Sequence, residues 1–195
     1  MDTKAGERGF TLVEALATVL IFGILAAIAA PSYYGFLNRQ RLDAAQSAAL
    51  LVLREAQTTA KQQGAEYEAC FRMFPTPTAD DRQLQVAVAQ VVSSANNQRC
   101  RNAAWRPIAD DASIASVVEL FNTGGSGYFT SNGAGAFSFQ FDERGASAEG
   151  ATGGVVIMTT QDNPGGIIQC VRMTGLLGTA RLGQGPGPSG NGGCG

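Results

Sequence analysis

Glu14 places a carboxylate inside an otherwise apolar segment, where it would have to pair with a positive charge. From Phe10 to Ala30 it is the only ionisable side chain. As a helix this segment would be about 31 Å long, which is enough to cross the hydrocarbon core of a bilayer. A carboxylate there costs about 2.5–3.5 kcal/mol on insertion scales and therefore needs a partner. Since the segment contains no Lys or Arg, the simplest partner is a new α-ammonium group, created if the chain is cut between Gly9 and Phe10.

The residues around this acid match a known kind of leader junction. The run Arg8-Gly9-Phe10-Thr11-Leu12-Val13-Glu14 resembles the junction of type IV pilins and type II secretion pseudopilins. The resemblance implies that a prepilin peptidase cuts after Gly9 and that the new N-terminal Phe10 is methylated. It also implies that Glu14 meets the N-terminus of a neighbouring subunit during filament assembly. Gly23 and Pro31 stand where pilins carry a glycine and a proline that soften the helix.

Other interpretations explain the apolar segment less well. A secretory signal peptide is suggested by Ala27-Ile28-Ala29, which has the small residues of a cleavage site. However, the first nine residues carry two acids and two bases, so the positive n-region is missing. A plain membrane anchor explains the length but leaves Glu14 unpaired. A buried core helix does not fit a segment this long and this uniformly apolar.

A second helical pattern follows the apolar segment. Pro31 lacks a backbone donor and predicts a kink or a melted turn within residues 23–31, and Gly64 is a candidate stop. If residues 10–63 form one rod, it is about 80 Å long, with its second half laid against a globular domain. Charged residues, Arg41, Asp43, Arg54, Glu55 and Lys61, lie off a single apolar stripe. That stripe consists of Leu42, Ala45, Ala49, Leu53, Ala56 and Ala60.

The rest of the chain predicts strands. In Ala136–Asp142 the residues Phe137, Phe139 and Phe141 alternate with polar residues and face one way. The tripeptide Glu143-Arg144-Gly145 turns the chain. Residues 113–121 fit a strand or a short helix, and a strand is preferred. The other predicted strands are Gln83–Val92, Val155–Thr160, Ile167–Met173 and Thr179–Leu182.

Together these patterns predict an α+β fold in which a long N-terminal helix packs on a mainly antiparallel, pilin-like β domain. The helix has a transmembrane first half and an amphipathic second half. The expected segments are a leader peptide (1–9), a transmembrane or filament-core helix (10–30), an amphipathic continuation (31–64), a β-rich globular domain (65–183) and a flexible Gly/Pro tail (184–195).

The C-terminal strands carry a resemblance of their own. The runs FSFQFDERGASAEGATGGVVIMTT and IIQCVRMTGLLGTARL are similar to the end of H-type pseudopilins and FimT-like minor pilins, which closes in a Gly-x-x-Arg-like motif. Residues 40–64 resemble the second helical half of those proteins, so the resemblance covers residues 8–64 and 135–182. It implies a minor subunit of a type II secretion pseudopilus. The alternative is a minor type IV pilin for pilus initiation or DNA uptake.

Four cysteines, Cys70, Cys100, Cys170 and Cys194, lie beyond the apolar segment. In an oxidising, extracytoplasmic compartment an even count indicates disulfides, and four cysteines allow three pairings that sequence cannot separate. The pairs Cys70–Cys100 and Cys170–Cys194 are favoured because each joins neighbouring segments. Free buried thiols are the alternative. Zinc is not expected, since close Cys-x-x-Cys pairs are missing.

Composition argues against an enzyme. The chain has no His, which removes the commonest general base and metal ligand. The Gly-rich run Thr123–Phe137 lacks the Gly-Lys-Ser/Thr ending of a phosphate loop and reads as a surface loop. Asp80-Asp81 and Asp110-Asp111 could bind Ca²⁺, but without spaced oxygen ligands solvated acidic turns are favoured. We therefore expect no catalytic residues, cofactor, resident metal or small-molecule substrate.

Nucleic acid is not a favoured partner. The net charge is −2, so nothing global attracts a polyanion. Some FimT-like minor pilins bind DNA through arginines near the C-terminus, and this chain has Arg172 and Arg181 there without a basic cluster around them. The partners that the resemblance implies are the prepilin peptidase, other pseudopilins or pilins, an inner-membrane assembly platform, and lipid before assembly. The expected location is the bacterial inner membrane, with the globular domain in the periplasm or on an extracytoplasmic filament.

Overall fold

The structure, a computed structural model, describes residues 10–75, 82–91, 100, 103–110, 114, 118–120, 136–147, 155–160, 167–174 and 177–186. The chain divides into two compact units, residues 1–37 and residues 38–195. The first unit contains the beginning of a long helix. The second contains the end of that helix and two β-sheets.

The long helix, α1, runs from Leu12 to Gln63. It ends where the sequence predicts, because Gly64 has a φ of 58°, a left-handed conformation that glycine adopts without steric penalty. The Ala65 N–H closes this end by donating to the Ala60 carbonyl at 3.3 Å. The helical assignment continues through Gly23 and Pro31, so softening of the helix at these two residues stays a prediction.

Eight strands are found in the described parts of the chain, and they form two antiparallel sheets. Sheet A has the order β3-β2-β1-β5, and sheet B has the order β4-β6-β7-β8. This arrangement, with a helix packed on antiparallel sheets, is the predicted α+β fold. The strands are β1 (Tyr67–Pro75), β2 (Arg82–Gln90), β3 (Arg106–Pro107), β4 (Val118–Leu120), β5 (Ala136–Phe141), β6 (Val155–Thr160), β7 (Ile167–Thr174) and β8 (Thr179–Pro186).

The predicted stripe of α1 is the centre of the hydrophobic core in the second unit. All six of its residues are buried, and so is Val52 beside them. Four of the six are alanines, whose small side chains allow a helix to approach a sheet closely. Against the stripe pack the inward side chains of both sheets: Phe71, Leu84, Val86, Val118, Phe139, Phe141, Val156, Met158, Val171 and Met173. Burial of this apolar surface is the main term holding the unit together.

The strands differ from the predicted ones in three places. Two strands, β1 and the short β3, were not predicted, and they lie in the region that the resemblance does not cover. Within residues 113–121 the described residues include the strand Val118–Leu120 and Ile114, which is helical. Strand β8 continues to Pro186, into the segment predicted as a flexible tail. The reason is its pairing with β7, which extends from Thr179 opposite Thr174 to Pro186 opposite Ile167.

Side-chain amides of α1 connect the helix to sheet B and to the turn after β5 of sheet A. The buried Gln46 amide donates to the carbonyls of Cys170 and Gly183, both at 2.8 Å. Gln57 donates to the Gly145 and Leu177 carbonyls at 2.7 and 3.1 Å. Each amide therefore satisfies two carbonyls, and each such bond contributes about 1 kcal/mol. On the side of sheet A, Arg106 of β3 forms an exposed ion pair with Glu55.

Candidate functional site

The start of α1 holds Glu14 in a defined position. Thr11 precedes the helix, its carbonyl accepts the Ala15 N–H at 3.1 Å, and its hydroxyl oxygen accepts the Glu14 N–H at 3.3 Å. Thr11 is therefore the N-cap and Glu14 the third helical residue, the Thr-x-x-Glu order of a capping box. A carboxylate in the first turn also interacts favourably with the helix dipole. Glu14 thus has a local structural role in addition to the assembly role implied by the resemblance.

The described surface of the first unit, which begins at Phe10, is mostly apolar. Fourteen large hydrophobic side chains here are more than half exposed, from Phe10 at 81% to Phe36 at 55%. Soluble monomers rarely expose an apolar surface of this extent, so a lipid or protein partner is needed. The exposed residues are Phe10, Leu12, Val13, Leu16, Val19, Leu20, Ile21, Phe22, Ile24, Leu25, Ile28, Tyr33, Tyr34 and Phe36.

The length and composition of α1 bear on whether it can cross a membrane. Among the described residues, no single helix is long and apolar enough to cross a membrane. The two parts of α1 on either side of a 42° bend, Leu12–Ile28 and Tyr33–Gln63, meet the criteria of length and composition only when they are taken together. Gly23 has open space around the position of a Cβ atom. The predicted cleavage site lies between Gly9 and Phe10, and the residues that the structure describes begin at Phe10.

The predicted disulfide between Cys70 and Cys100 is confirmed, with the two Cα atoms 5.9 Å apart. It lies on the face of sheet A that points away from α1, in a small second cluster with Ala87, Ala89 and Trp105. Cys170 is also disulfide-bonded. Its predicted partner, Cys194, lies outside the described residues. The cross-link at Cys70 fixes the segment that contains Cys100 and Trp105 over the outer face of sheet A.

Arg72 holds the same segment through its guanidinium group. The group lies 4.7 Å from the ring centroid of Phe74 and 4.0 Å from that of Trp105, and it donates two hydrogen bonds to Gln85 Oε1 at 2.9 and 2.7 Å. Partial burial lowers the pKa of Arg72 below its usual value by desolvation. The site remains cationic at neutral pH because an arginine side chain stays protonated in proteins. Its geometry is that of a structural clamp between β1, β2 and Trp105.

The two predicted nucleic-acid residues are brought together by sheet B. Arg172 of β7 and Arg181 of β8 are direct cross-strand partners, so their side chains project from the same face. Arg172 is half-buried and Arg181 is exposed. Like charges directly opposite each other destabilise a sheet unless an anion or an acid compensates them. This adjacency was not visible in the sequence, where the two residues are separated by a turn.

A cavity of about 380 Å³ lies between the second half of α1 and the β7–β8 turn. Its lining includes the cations Arg54 and Lys61, and none of the described lining residues carries a carboxylate or a thiol. Among the described lining residues, the Thr179 hydroxyl therefore has no carboxylate beside it that could act as a general base. The lining consists of Leu53, Arg54, Gln57, Lys61, Met173, Leu177, Gly178, Thr179 and Ala180.

The candidate Ca²⁺-binding acids and the Gly-rich run lie partly or wholly outside the residues that the structure describes. Asp80 and Asp81 lie outside them, as does Asp111, while Asp110 is exposed. Of the Gly-rich run 123–137 only the last two residues are described, as the start of β5. Sequence reasoning missed the buried acid Glu68 because it missed β1. Cys70 and Phe74 stand at outward positions of β1, so the strand lacks the regular apolar–polar alternation that would have marked it.

Comparison with known proteins gives matches to one family model and to several fimbrial proteins. Residues 4–30 match the family model described as the prokaryotic N-terminal methylation motif. Three type IV major fimbrial proteins FimA from Dichelobacter nodosus are similar to the chain, two at 38% and one at 37% identity over 68 residues. The matched region covers 35% of this chain and 42–43% of each relative, so the chain spans less than half the length of these curated relatives. No solved structure gives a significant match.

Proposed function

We propose that the chain is a type IV pilin-like protein, which its N-terminal methylation motif and its similarity to type IV fimbrial proteins support, and that it is cut after Gly9, methylated at Phe10 and assembled into a filament. One observation carries the proposal. A methylation motif leads directly into a helix whose apolar side chains are exposed and whose only acid between residues 10 and 30 is Glu14. Such a helix has two suitable environments, lipid before assembly and the packed helices of a filament afterwards.

The transfer between these environments needs little net driving force. Lipid tails and neighbouring apolar helices both cover the exposed side chains of the first unit, so the apolar term changes little. Glu14 differs between the two states, because in lipid it has no cation beside it, whereas in a filament it meets the Phe10 ammonium of the next subunit. Pairing of these two groups sets the register between subunits, as a buried polar pair does in a helical bundle.

We propose further that the chain is a minor, H-type subunit of a type II secretion pseudopilus. The support is the resemblance of its last strands. The Gly-x-x-Arg-like ending falls on Gly178 and Arg181, at the turn that joins β7 to β8. The prepilin peptidase, the other pseudopilins and the inner-membrane assembly platform would be its partners, and the globular unit would lie on the extracytoplasmic side.

The proposal is tested by the intact mass and N-terminal sequence of the protein isolated from membranes of its native host. We expect a mature chain that begins with N-methyl-Phe10. A chain that begins at Ala30 would instead identify a secretory signal peptide, and an uncut chain that begins at Met1 would identify a plain anchor. Either of these results would contradict the filament proposal.

A second candidate function is DNA uptake as a FimT-like minor type IV pilin. The observation that favours it is the direct pairing of Arg172 with Arg181 on one face of sheet B. Two adjacent guanidinium groups match phosphate oxygens, and a bound phosphate would relieve their mutual repulsion. The net charge of −2 opposes long-range attraction of DNA, so binding would depend on this local pair.

DNA binding can be measured by gel retardation of a short duplex with the full chain in detergent micelles. If the arginine pair binds phosphate, retardation should weaken steeply with salt, and Arg181→Ala should weaken it about tenfold. Arg144→Ala is the matched control, because it removes an exposed arginine from the turn after β5 instead. No retardation at low salt, or equal loss in both variants, would remove this candidate.

A further inference from the structure

The outer face of sheet A contains two buried polar atoms that lack hydrogen bonds, and both flank Cys70. They are Glu68 Oε2 and Ser138 Oγ, the only such side-chain atoms in the part of the chain that the structure describes. Glu68 is 3% exposed, and Ser138 is fully buried. Buried polar atoms without partners are rare in folded proteins and require an explanation. Cys70 is the residue that lies next to both of them.

Strand geometry determines this arrangement. Glu68 lies two residues before Cys70 on β1, so the two side chains share one face of the sheet. Ser138 of β5 is the direct cross-strand partner of Cys70. A carboxylate oxygen of Glu68 and the sulfur atoms of Cys70 and Cys100 all lie within 4.8 Å of one another. An acid, a hydroxyl and the reacting sulfurs are therefore in one buried site.

The two carboxylate oxygens of Glu68 have different surroundings. Oε1 accepts a hydrogen bond from the backbone N–H of Cys100, while Oε2 has no partner. Cys100 has a φ of 59°, the left-handed conformation that residues other than glycine rarely adopt. The bond to Oε1 therefore holds Cys100 in an unfavourable conformation that places its sulfur beside Cys70. Oε2 remains available as a base.

We propose that Glu68 and Ser138 form a proton-transfer site that closes the Cys70–Cys100 disulfide. The oxidant is an external disulfide, RS–SR. In the first step the Cys100 thiolate attacks RS–SR, a mixed Cys100–S–S–R disulfide forms, and one RS⁻ leaves. In the second step the Cys70 thiol gives its proton to Glu68 Oε2, and the Cys70 thiolate attacks Cys100 Sγ. The Cys70–Cys100 bond forms while the Cys100–SR bond breaks, and the second RS⁻ carries the electron pair away and takes up a proton.

The second step needs an internal base because Cys70 is buried. Only a thiolate attacks a disulfide, and the apolar neighbours of Cys70, Ala87 and Ala89, keep water away from its sulfur. The Ser138 hydroxyl can donate a hydrogen bond to the thiolate that forms. Among the described residues on this face, β1 contributes two charged groups, Glu68 and Arg72, and the exposed Glu66 precedes this strand. The polar side chains that β2 and β5 contribute are uncharged: Gln85, Ser138 and Gln140.

The test follows closure of the mixed disulfide in the full chain in detergent micelles. Reduced protein is mixed with excess oxidised glutathione, acid-quenched, alkylated and analysed by peptide mass spectrometry, which distinguishes Cys70–Cys100 from the disulfide of Cys170. Glu68→Gln keeps an acceptor for the Cys100 N–H but loses the base, and we expect closure at pH 7 to slow about tenfold or more. Ser138→Ala should slow closure about fivefold. Glu66→Gln, which removes an exposed acid nearby, should close at the wild-type rate.

The pH dependence of the wild-type chain provides a second readout that needs no variant. The second step is followed by itself, as conversion of the Cys100–S–S–R disulfide into Cys70–Cys100, because the first step depends on the Cys100 thiolate and speeds up with pH. If the proton passes to Glu68, the rate of this conversion should stay nearly constant between about pH 6 and 8. If hydroxide or buffer removes it, the rate should rise about tenfold per pH unit, as the thiolate fraction does below the thiol pKa. That steep dependence in the wild type, or Glu68→Gln closing within about twofold of the wild-type rate, would overturn the proposal. Should Glu68→Gln fail to fold, the wild-type profile decides alone.

Discussion

Glu14→Ala should yield a protein that is cleaved after Gly9 and methylated at Phe10 but is absent from filaments. The peptidase and the methylation act on the junction itself, whereas assembly requires the carboxylate to meet a neighbouring ammonium group. Removing one member of a buried ion pair is destabilising by about 3–5 kcal/mol. This corresponds to a loss of about 100-fold or more at each subunit addition. The measurement compares the amounts of the variant in sheared filaments and in membranes, together with its intact mass.

The local role of Glu14 provides a sharp control for this prediction. The Thr11 hydroxyl accepts the Glu14 N–H, so loss of the capping box alone could weaken the start of α1 by about 1 kcal/mol. Thr11→Val removes that hydroxyl with little change of shape and leaves the acid in place. We expect Thr11→Val to assemble and Glu14→Gln, which is uncharged but similar in size, to fail as Glu14→Ala does. A defect in Thr11→Val as severe as that of Glu14→Ala would contradict the ion-pair explanation.

Anchoring in the membrane should survive these substitutions. Glu14 is the only ionisable side chain between residues 10 and 30, so replacing it with alanine makes the segment more apolar and lowers the cost of insertion. Retention of Glu14→Ala in the membrane fraction would therefore reflect a failure to leave lipid. If Glu14→Ala were instead lost from the membrane fraction, the segment would not act as the anchor proposed here.

Local sequence patterns predicted the elements that each have one face against the core, and the end of α1. The stripe from Leu42 to Ala60 follows helical periodicity and is buried as predicted. Gly64 ends α1 because its left-handed φ is a property of one residue. The alternation of Phe137, Phe139 and Phe141 identifies β5, since one face of that strand packs in the core. The helical stripe and β5 each have one face in the core, which gives a regular pattern in the sequence, and Gly64 acts through its own backbone conformation.

Strand β1 was missed because it has partners on both faces. Ala69 and Phe71 face the core, whereas Glu68 and Cys70 are buried on the opposite face. Both classes of residue are therefore buried, and the alternation of apolar and polar residues that marks a half-exposed strand disappears. The cover of the outer face depends on a disulfide between residues 30 positions apart. A contact over that distance leaves no periodic signal in a single sequence, so the buried acid and its unpaired oxygen could be found only in the structure.

The pairing of Arg172 with Arg181 was missed for a related reason. Both residues were noted as candidates, but their adjacency depends on the register of β7 and β8. A shift of one residue would place them on opposite faces of the sheet. The register is fixed by tertiary contacts such as the bonds from Gln46 to the Cys170 and Gly183 carbonyls. Those bonds connect a helix to strands more than 120 residues away, which local patterns do not encode.

Removal of the Cys70–Cys100 cross-link should produce the largest loss of stability in the globular unit. The disulfide closes a loop of 30 residues, and in the chain-entropy model this contributes about 3–4 kcal/mol by restricting the unfolded chain. A domain of this size is stable by only about 5–15 kcal/mol. The variant with both Cys70→Ala and Cys100→Ala should therefore unfold at a much lower urea concentration than the oxidised wild type.

Trp105 makes this prediction measurable at one position. It is the only tryptophan of the chain, and it packs in the cluster that contains both cysteines. Its fluorescence during urea unfolding of the full chain in detergent thus reports the segment that the disulfide holds. Arg72→Gln is the control, because it removes the guanidinium that stacks on Trp105 and leaves the cross-link intact. A cation–π contact at a partly exposed site is worth about 0.5–1 kcal/mol.

The two variants together separate the cross-link from the stacking contact. If the disulfide acts through the unfolded chain, the double-cysteine variant loses several times more free energy of unfolding than Arg72→Gln. A loss of less than about 1 kcal/mol in the double-cysteine variant would mean that the unfolded chain keeps this loop closed by other contacts. In the folded chain the bond from the Cys100 N–H to Glu68 Oε1 would also be present without the cross-link, because both variants keep these two groups. The proton-transfer site would then act on a segment that is already docked, which would favour fast closure of the disulfide.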